Sequence, residues 1–375
     1  MAQNDRLFGL VEQYYKHLGL VTTPIAVLQP AEPFLDSVGE DLRRRIFITQ
    51  NENGENLCLR PEFTIPVCLQ HIKNNAVTPR QYAYLGEVFR QQRLNDTGFY
   101  QAGIEDLGDP HEKHADARSL QMALNFMKRV ALENSYHIII GDQTVFAALL
   151  HALKIDNVWQ KKLLRAFGNA SKLHKMLSDF MSLKEEPPLA PHLETFVKKN
   201  DKNALIASLE EEMRDAGLSP LVSRNPAEIA QRLLDRDVLQ SKPLSPKNLA
   251  IIQEFLQLRM CLHNAHEILL NFAQKHHLNL MDSLHSFVAR NDAFQQAKID
   301  LKSIEFDSAF GRPLDYYTGF VFEIRSNANV IVGGGRYDNL MAMLGAKKPI
   351  PAIGFSISLD HINLQSRSEA EGRKL

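Results

Sequence analysis

Glu62 and Thr64 stand two residues apart in Leu59-Arg60-Pro61-Glu62-Phe63-Thr64, so an extended chain puts a carboxylate and a hydroxyl on one face, where they can hold an ammonium group. Gln101 and Glu105 share a face by the same alternation, with Gly103 between them leaving room for a ligand. Arg90 ends the preceding strand-like run, and its planar fork suits a carboxylate or a phosphate. With no ligand to serve, these residues would make only a cross-strand ion pair. Further on, the segment from Gly311 through Arg312 to Gly319 leads into a strand, and Gly333-Gly334-Gly335-Arg336-Tyr337-Asp338 leads from a strand into a helix. The three glycines permit close backbone approach to a ligand or an anion. Their spacing fits neither GxGxxG nor GxxxxGK[ST], which excludes a dinucleotide fold and a P-loop. Cys261, His263, His266 and Glu267 have a Cys-x-His-x-x-His spacing but lack a second ligand pair, so no metal is expected. Neither G-x-S-x-G nor H-E-x-x-H occurs.

The elements that must position these residues can be read from periodicity. Leu7, Leu10, Val11, Tyr14 and Leu18 give an amphipathic first helix that Gly19 can close. Ile46 to Thr49 and Asn56 to Leu59 are strand-like runs around an Asn53-Gly54 turn. Gln81 to Arg90 and Phe99 to Leu107 form a second strand pair, followed by a helix from Asp116 to Leu132 and a buried strand from Tyr136 to Ile140. From residue 145 to 298 the texture is helical with charged faces, which predicts an all-helical insert between a first part of the core, 1–144, and a second part, 299–375. In the second part Phe320, Phe322 and Ile324 alternate, Val330 to Val332 is apolar, and Ala352 to Ser356 precedes a helix-like segment.

Composition narrows the function classes. The 375 residues carry 43 Lys+Arg against 44 Asp+Glu, a formal charge of −1, which argues against a protein whose main task is gripping a phosphate backbone. Three widely spaced cysteines, Cys58, Cys68 and Cys261, predict reduced thiols rather than a disulfide framework. With no apolar leader and no long apolar run, the expectation is a cytoplasmic chain that does not enter a membrane.

Six blocks in order, Leu-Arg-Pro-Glu-Phe-Thr (59 to 64), Gly-Glu-Val-Phe-Arg (86 to 90), Gln-Ala-Gly-Ile-Glu (101 to 105), Arg-Pro-Leu-Asp-Tyr-Tyr-Thr-Gly (312 to 319), Gly-Gly-Gly-Arg-Tyr-Asp (333 to 338) and Gly-Phe-Ser-Ile-Ser-Leu-Asp (354 to 360), resemble the catalytic domain of histidyl-tRNA synthetases. Thr23-Pro24-Ile25 is similar to the proline-bearing dimer motif of class II synthetases. The resemblance implies an α+β class II fold, an antiparallel sheet flanked by helices, with the all-helical insert and self-association as a dimer. It places the histidine-binding residues on Glu62, Thr64, Arg90, Gln101, Glu105, Arg312, Tyr317 and Tyr337.

The adenylating residues depart from the synthetase pattern. Gln92 stands for a carboxylate on the adenine side of ATP, and Ser358 and His361 stand for a glycine and a phosphate-clamping arginine. A shorter, mostly neutral His cannot replace a permanently charged guanidinium on a triphosphate. Only 14 residues follow His361, so an anticodon-binding domain of roughly a hundred residues is not expected, nor is tRNA as a partner. This combination resembles the regulatory subunits of ATP phosphoribosyltransferase. That resemblance implies a non-catalytic chain without a cofactor, partnered by a short-form catalytic subunit, usually as a hetero-octamer. It implies that the chain is required for the catalytic subunit's activity and takes histidine as feedback effector in the first step of histidine biosynthesis. The competing reading is a truncated synthetase-like enzyme that adenylates or transfers histidine, kept open by Arg312.

Overall fold

The computed structural model describes residues 2–91, 97–130, 136–181, 189–217, 225–241, 244–312, 316–326 and 329–362. The described strands are β1 (Leu28–Pro30), β2 (Ile48–Gln50), β3 (Asn56–Leu59), β4 (Arg80–Phe89), β5 (Gly98–Leu107), β6 (His137–Asp142), β7 (Arg259–Cys261), β8 (Ile304–Asp307), β9 (Phe320–Ser326), β10 (Asn329–Arg336) and β11 (Ala352–Ser358). They form a small sheet in the order β1-β3-β2 and a large one in the order β4-β5-β11-β10-β9-β6-β8-β7. Every pairing in both is antiparallel except β6 with β8.

The small sheet grows from the Asn53-Gly54 turn. Gly54 takes φ +77°, a conformation costly for any residue with a Cβ, and Asn51 Oδ1 accepts the N–H groups of Asn53 and Glu55 to close the loop. The long β4–β5 ladder runs from Arg80 opposite Leu107 to Phe89 opposite Gly98. Directly opposed residues share a face, so one row across the large sheet reads Tyr84, Gly103, Ser356, Gly333, Glu323, and the next reads Tyr82, Glu105, Gly354, Gly335, Val321.

The opposite face of β8 and β9 is apolar. There Phe306 meets Phe287 with ring centroids 5.2 Å apart, and Phe320 meets Phe294 at 5.4 Å. These contacts bring the helix Met281–Gln296 onto the sheet, and the helix Leu262–Lys275 also packs on β8. Both lie within the stretch 145–298 whose helical texture suggested an insert, yet they belong to the sheet unit, which comprises Met1–Leu149, Phe167–Asn169 and Glu254–Leu375.

The second unit comprises Leu150–Ala166 and Ala170–Gln253 and holds described helices only. Its core joins Leu193, Val197, Leu205, Leu209, Ala230 and Leu234 from three helices. Pro191 opens the first of these, where its fixed φ is favourable, and the Asp201 carboxylate caps the second by accepting the Ala204 N–H at 3.0 Å. Among the described residues no helix is long and apolar enough to cross a membrane.

Candidate functional site

Pro61 and Glu62 leave the small sheet and enter the helix Thr64–Lys73, so the chain is turning here and not extended as the alternation reading supposed. Glu62 Oε2 accepts the Thr64 N–H at 2.7 Å and Oε1 accepts the Ile65 N–H at 2.9 Å, satisfying two of the helix's unpaired donors. Burial still pushes its carboxyl above the usual carboxylate range, against the pull of those two bonds and of Arg90.

Thr64 turns its hydroxyl the other way and donates to Glu105 Oε1 at 2.7 Å. Tyr337 donates its phenol proton to Glu105 Oε2. Glu105 is 1% exposed, and its bonding partners are neutral hydroxyls. Burial and the neighbouring Glu62 raise its pKa to about 8, with the bonds from Tyr337 and Thr64 opposing the shift. The carboxyl therefore carries its proton over much of the neutral range, and a cation brought against it would drive that proton off.

Gln101, four residues back on β5, is buried, and its Oε1 has no hydrogen-bond partner. A buried acceptor left so is costly unless a ligand or water reaches it. Arg90 follows β4, donates from Nε to the Pro61 carbonyl at 2.8 Å, and lies 5.1 Å over the Phe99 ring. Arg312, on the loop after β8, donates from Nη1 to Glu323 Oε1 at 3.0 Å, while its buried Nε has no partner. Tyr317 stands beside this guanidinium, and burial pushes its phenol up to about 12. Glu62 and Arg90 are close enough to interact, and Glu105 joins Thr64 and Tyr337 through its two oxygens.

The protein matches the histidyl-tRNA synthetase family over residues 6–233 and 207–362. ATP phosphoribosyltransferase regulatory subunits are 49% identical to it: that of Brucella anthropi over 344 residues, 91% of this chain and 92% of the relative, and that of Brucella canis over 356 residues, 94% of each. This chain belongs to the family of ATP phosphoribosyltransferase regulatory subunits. Its fold is that of the class II synthetases. A crystal structure of an ATP phosphoribosyltransferase regulatory subunit/histidyl-tRNA synthetase from Bacillus halodurans superposes with a TM-score of 0.64 at 19% identity, covering 96% of this chain and 78% of that one. A histidine–tRNA ligase subunit from Alicyclobacillus acidocaldarius gives 0.61 at 19% identity, covering 99% and 94%.

In this family member several site residues carry no motif signal of their own. The room expected over Gly103 is filled, because a Cβ there would stand 2.3 Å from the Tyr84 phenol oxygen and 2.2 Å from the Phe355 carbonyl. Tyr84 stacks on Phe63 at 4.5 Å, and Tyr15 from the first helix donates to the Tyr84 carbonyl at 2.7 Å. Tyr316 is buried between Tyr317 and Tyr337, at ring distances of 5.1 and 5.8 Å. The three glycines 333–335 lie inside β10, not in a loop before a helix, and the space they leave is taken by Arg312, Phe322 and Tyr317.

His361 is exposed and its Nδ1 bonds the Val330 carbonyl at 2.7 Å, which requires that nitrogen to carry the proton. Gln92, Arg93 and residues 313–315 lie outside the described residues. Among the described residues no group of three His, Cys, Asp or Glu could hold a metal ion, and Cys261 Sγ instead lies 3.4 Å from the Leu301 carbonyl.

Proposed function

We propose that this regulatory subunit is non-catalytic, is required for the activity of a short-form catalytic ATP phosphoribosyltransferase subunit in the cytoplasm, and binds histidine in the pocket of Glu62, Thr64, Arg90, Gln101, Glu105, Arg312, Tyr317 and Tyr337 as feedback effector. The observation that carries the pocket reading is two unsatisfied buried groups, on Gln101 and Arg312, in the same cluster as a buried carboxyl. A buried carboxyl held only by hydroxyls, an unpartnered Gln101 oxygen and an unpartnered Arg312 N–H face one ligand's needs. Imidazole and ammonium groups suit Glu105, Glu62 and Gln101, and an α-carboxylate suits Arg312 and Arg90.

Self-association as a dimer within a hetero-octamer, without tRNA, completes the proposal. The dimer reading is supported by the similarity of Thr23-Pro24-Ile25 to the class II dimer motif, beside which the apolar Val21 is 84% exposed. The test is to purify the full chain with and without the short catalytic subunit and assay ATP plus phosphoribosyl pyrophosphate. Activity that appears only in a stoichiometric complex, together with no histidine-dependent pyrophosphate exchange by the chain alone, is the expected outcome. Exchange at a synthetase-like rate would instead establish the enzyme that adenylates or transfers histidine.

A further inference from the structure

Arg312 sits in a seat built by three separate parts of the chain. Below it lies Gly333 on β10, where a Cβ would stand 1.4 Å from Arg312 Nη1 and 2.1 Å from Cζ, so no other residue fits under the guanidinium in this position. Beside it lies Glu323 on β9, directly opposite Gly333 in the ladder and buried. Glu323 divides its two oxygens. Oε1 accepts from Arg312 Nη1 at 3.0 Å, and Oε2 accepts from Arg325 Nε and Nη2 at 2.8 and 2.6 Å. Behind it, the loop bearing Arg312 is braced by Gly168, whose Cα lies 2.7 Å from where a Cβ of Gly311 would be.

Two arginines share one carboxylate, so the cluster keeps a surplus positive charge. Two N–H groups of Arg325 converge on Oε2, and a carboxylate held there directs Oε1 toward Arg312. Arg312 is committed to Glu323 through Nη1 and has Tyr317 against its guanidinium, while its buried Nε N–H is uncommitted. A planar oxyanion is the natural partner for such an N–H.

We propose that Glu323 is a positioning residue that, with Gly333, fixes Arg312 to select ligands bearing a carboxylate, and that it does so through Arg312 without touching the ligand. The inference rests on the pocket reading above and adds the residue that sets its preference for an anion. Histidine and histamine separate the two, because they differ only in the carboxylate.

Calorimetric titration of the full chain, alone and in complex with the short catalytic subunit, would compare both ligands on wild type, Glu323→Ala, Glu323→Gln and Gly333→Ala. Wild type is expected to prefer histidine. Glu323→Ala and Gly333→Ala should each weaken histidine about tenfold or more, as expected for loss of an aligned charged hydrogen bond, and change histamine less than about twofold. Glu323→Gln keeps an acceptor for Arg312 and should recover part of the preference. Equal losses for both ligands would mean that Glu323 only supports the fold and would overturn the proposal. Full retention of the preference in Glu323→Ala and Gly333→Ala would overturn it as well, while leaving histidine in the pocket. A wild-type chain that binds neither ligand would bring down the pocket reading and this inference together.

Discussion

Gly354 lies directly opposite Glu105 across the β5–β11 ladder, and a Cβ at 354 would stand 1.6 Å from Glu105 Oε2. The carboxyl has therefore been given the volume of a missing side chain. Because Thr64 and Tyr337 hold both of its oxygens, it has no free direction in which to yield. Gly354→Ala should break at least one of those bonds, at a cost of about 1 to 3 kcal/mol for the buried group left unpaired. A denaturant midpoint unchanged from wild type would show that Glu105 can move aside.

Stability should depend on pH through Glu105 with an unusual sign. Its pKa rises on folding from 4.5 to about 8, so between those values the folded chain binds more protons than the unfolded one. The stabilisation is therefore fully present below the unfolded value, is lost as pH rises toward 8, and is gone above it. The slope contributed is on the order of 1.4 kcal/mol per pH unit inside the window. Glu105→Gln removes this titration. Unfolding curves at pH 5, 6, 7 and 8 should show the variant gaining on wild type as pH rises, and a constant difference would rule the effect out.

How much of this was legible in the sequence follows a physical line. The β4–β5 pair could be read because alternation reports which residues share a face, and Gln101 and Glu105 do share one. Glu62 was legible as a neighbour of Thr64 but not as a helix cap, since alternation cannot say that the chain turns into a helix at Thr64. Tyr84 over Gly103 and Tyr15 beneath Tyr84 were hidden because they depend on pairing and packing across long separations. Glu323 shows the limit most clearly. The alternation of Phe320, Phe322 and Ile324 puts it on the opposite face, but only the folded sheet brings Gly333 and the Arg312 loop to it.

A buried ion pair ties the helix Glu112–Arg129 to the end of β10. Arg336 donates from Nε and Nη2 to Asp116 Oδ1 at 2.9 and 2.6 Å, with Asp116 fully buried and Arg336 nearly so. Asp116→Leu should destabilise by about 3 kcal/mol, because the buried guanidinium keeps only the part-exposed Asp338 and the Glu112 carbonyl as partners. The double variant Asp116→Leu, Arg336→Met should recover much of that loss. Thermal unfolding of the three chains checks this, and a double variant no better than the single one would assign the cost to packing.

Feedback should run through Glu105 if histidine acts from this pocket. Histidine can shift the assembly toward an inhibited state only by binding that state more tightly than the active one, so affinity alone changes nothing. Glu105→Ala removes the acceptor proposed for the imidazole N–H. Leaving that buried N–H unpaired costs about 1 to 3 kcal/mol, which at about 1.4 kcal/mol per decade is roughly a fivefold to hundredfold rise in the inhibitory histidine concentration. Activation of the catalytic subunit should persist, because Glu105 is buried and forms no part of the surface. Titration of histidine against wild-type and Glu105→Ala complexes decides between two arrangements. A shifted curve with normal activation places the effector in the pocket, whereas an unshifted curve with normal assembly places it elsewhere and leaves Glu105 paired internally with Thr64 and Tyr337.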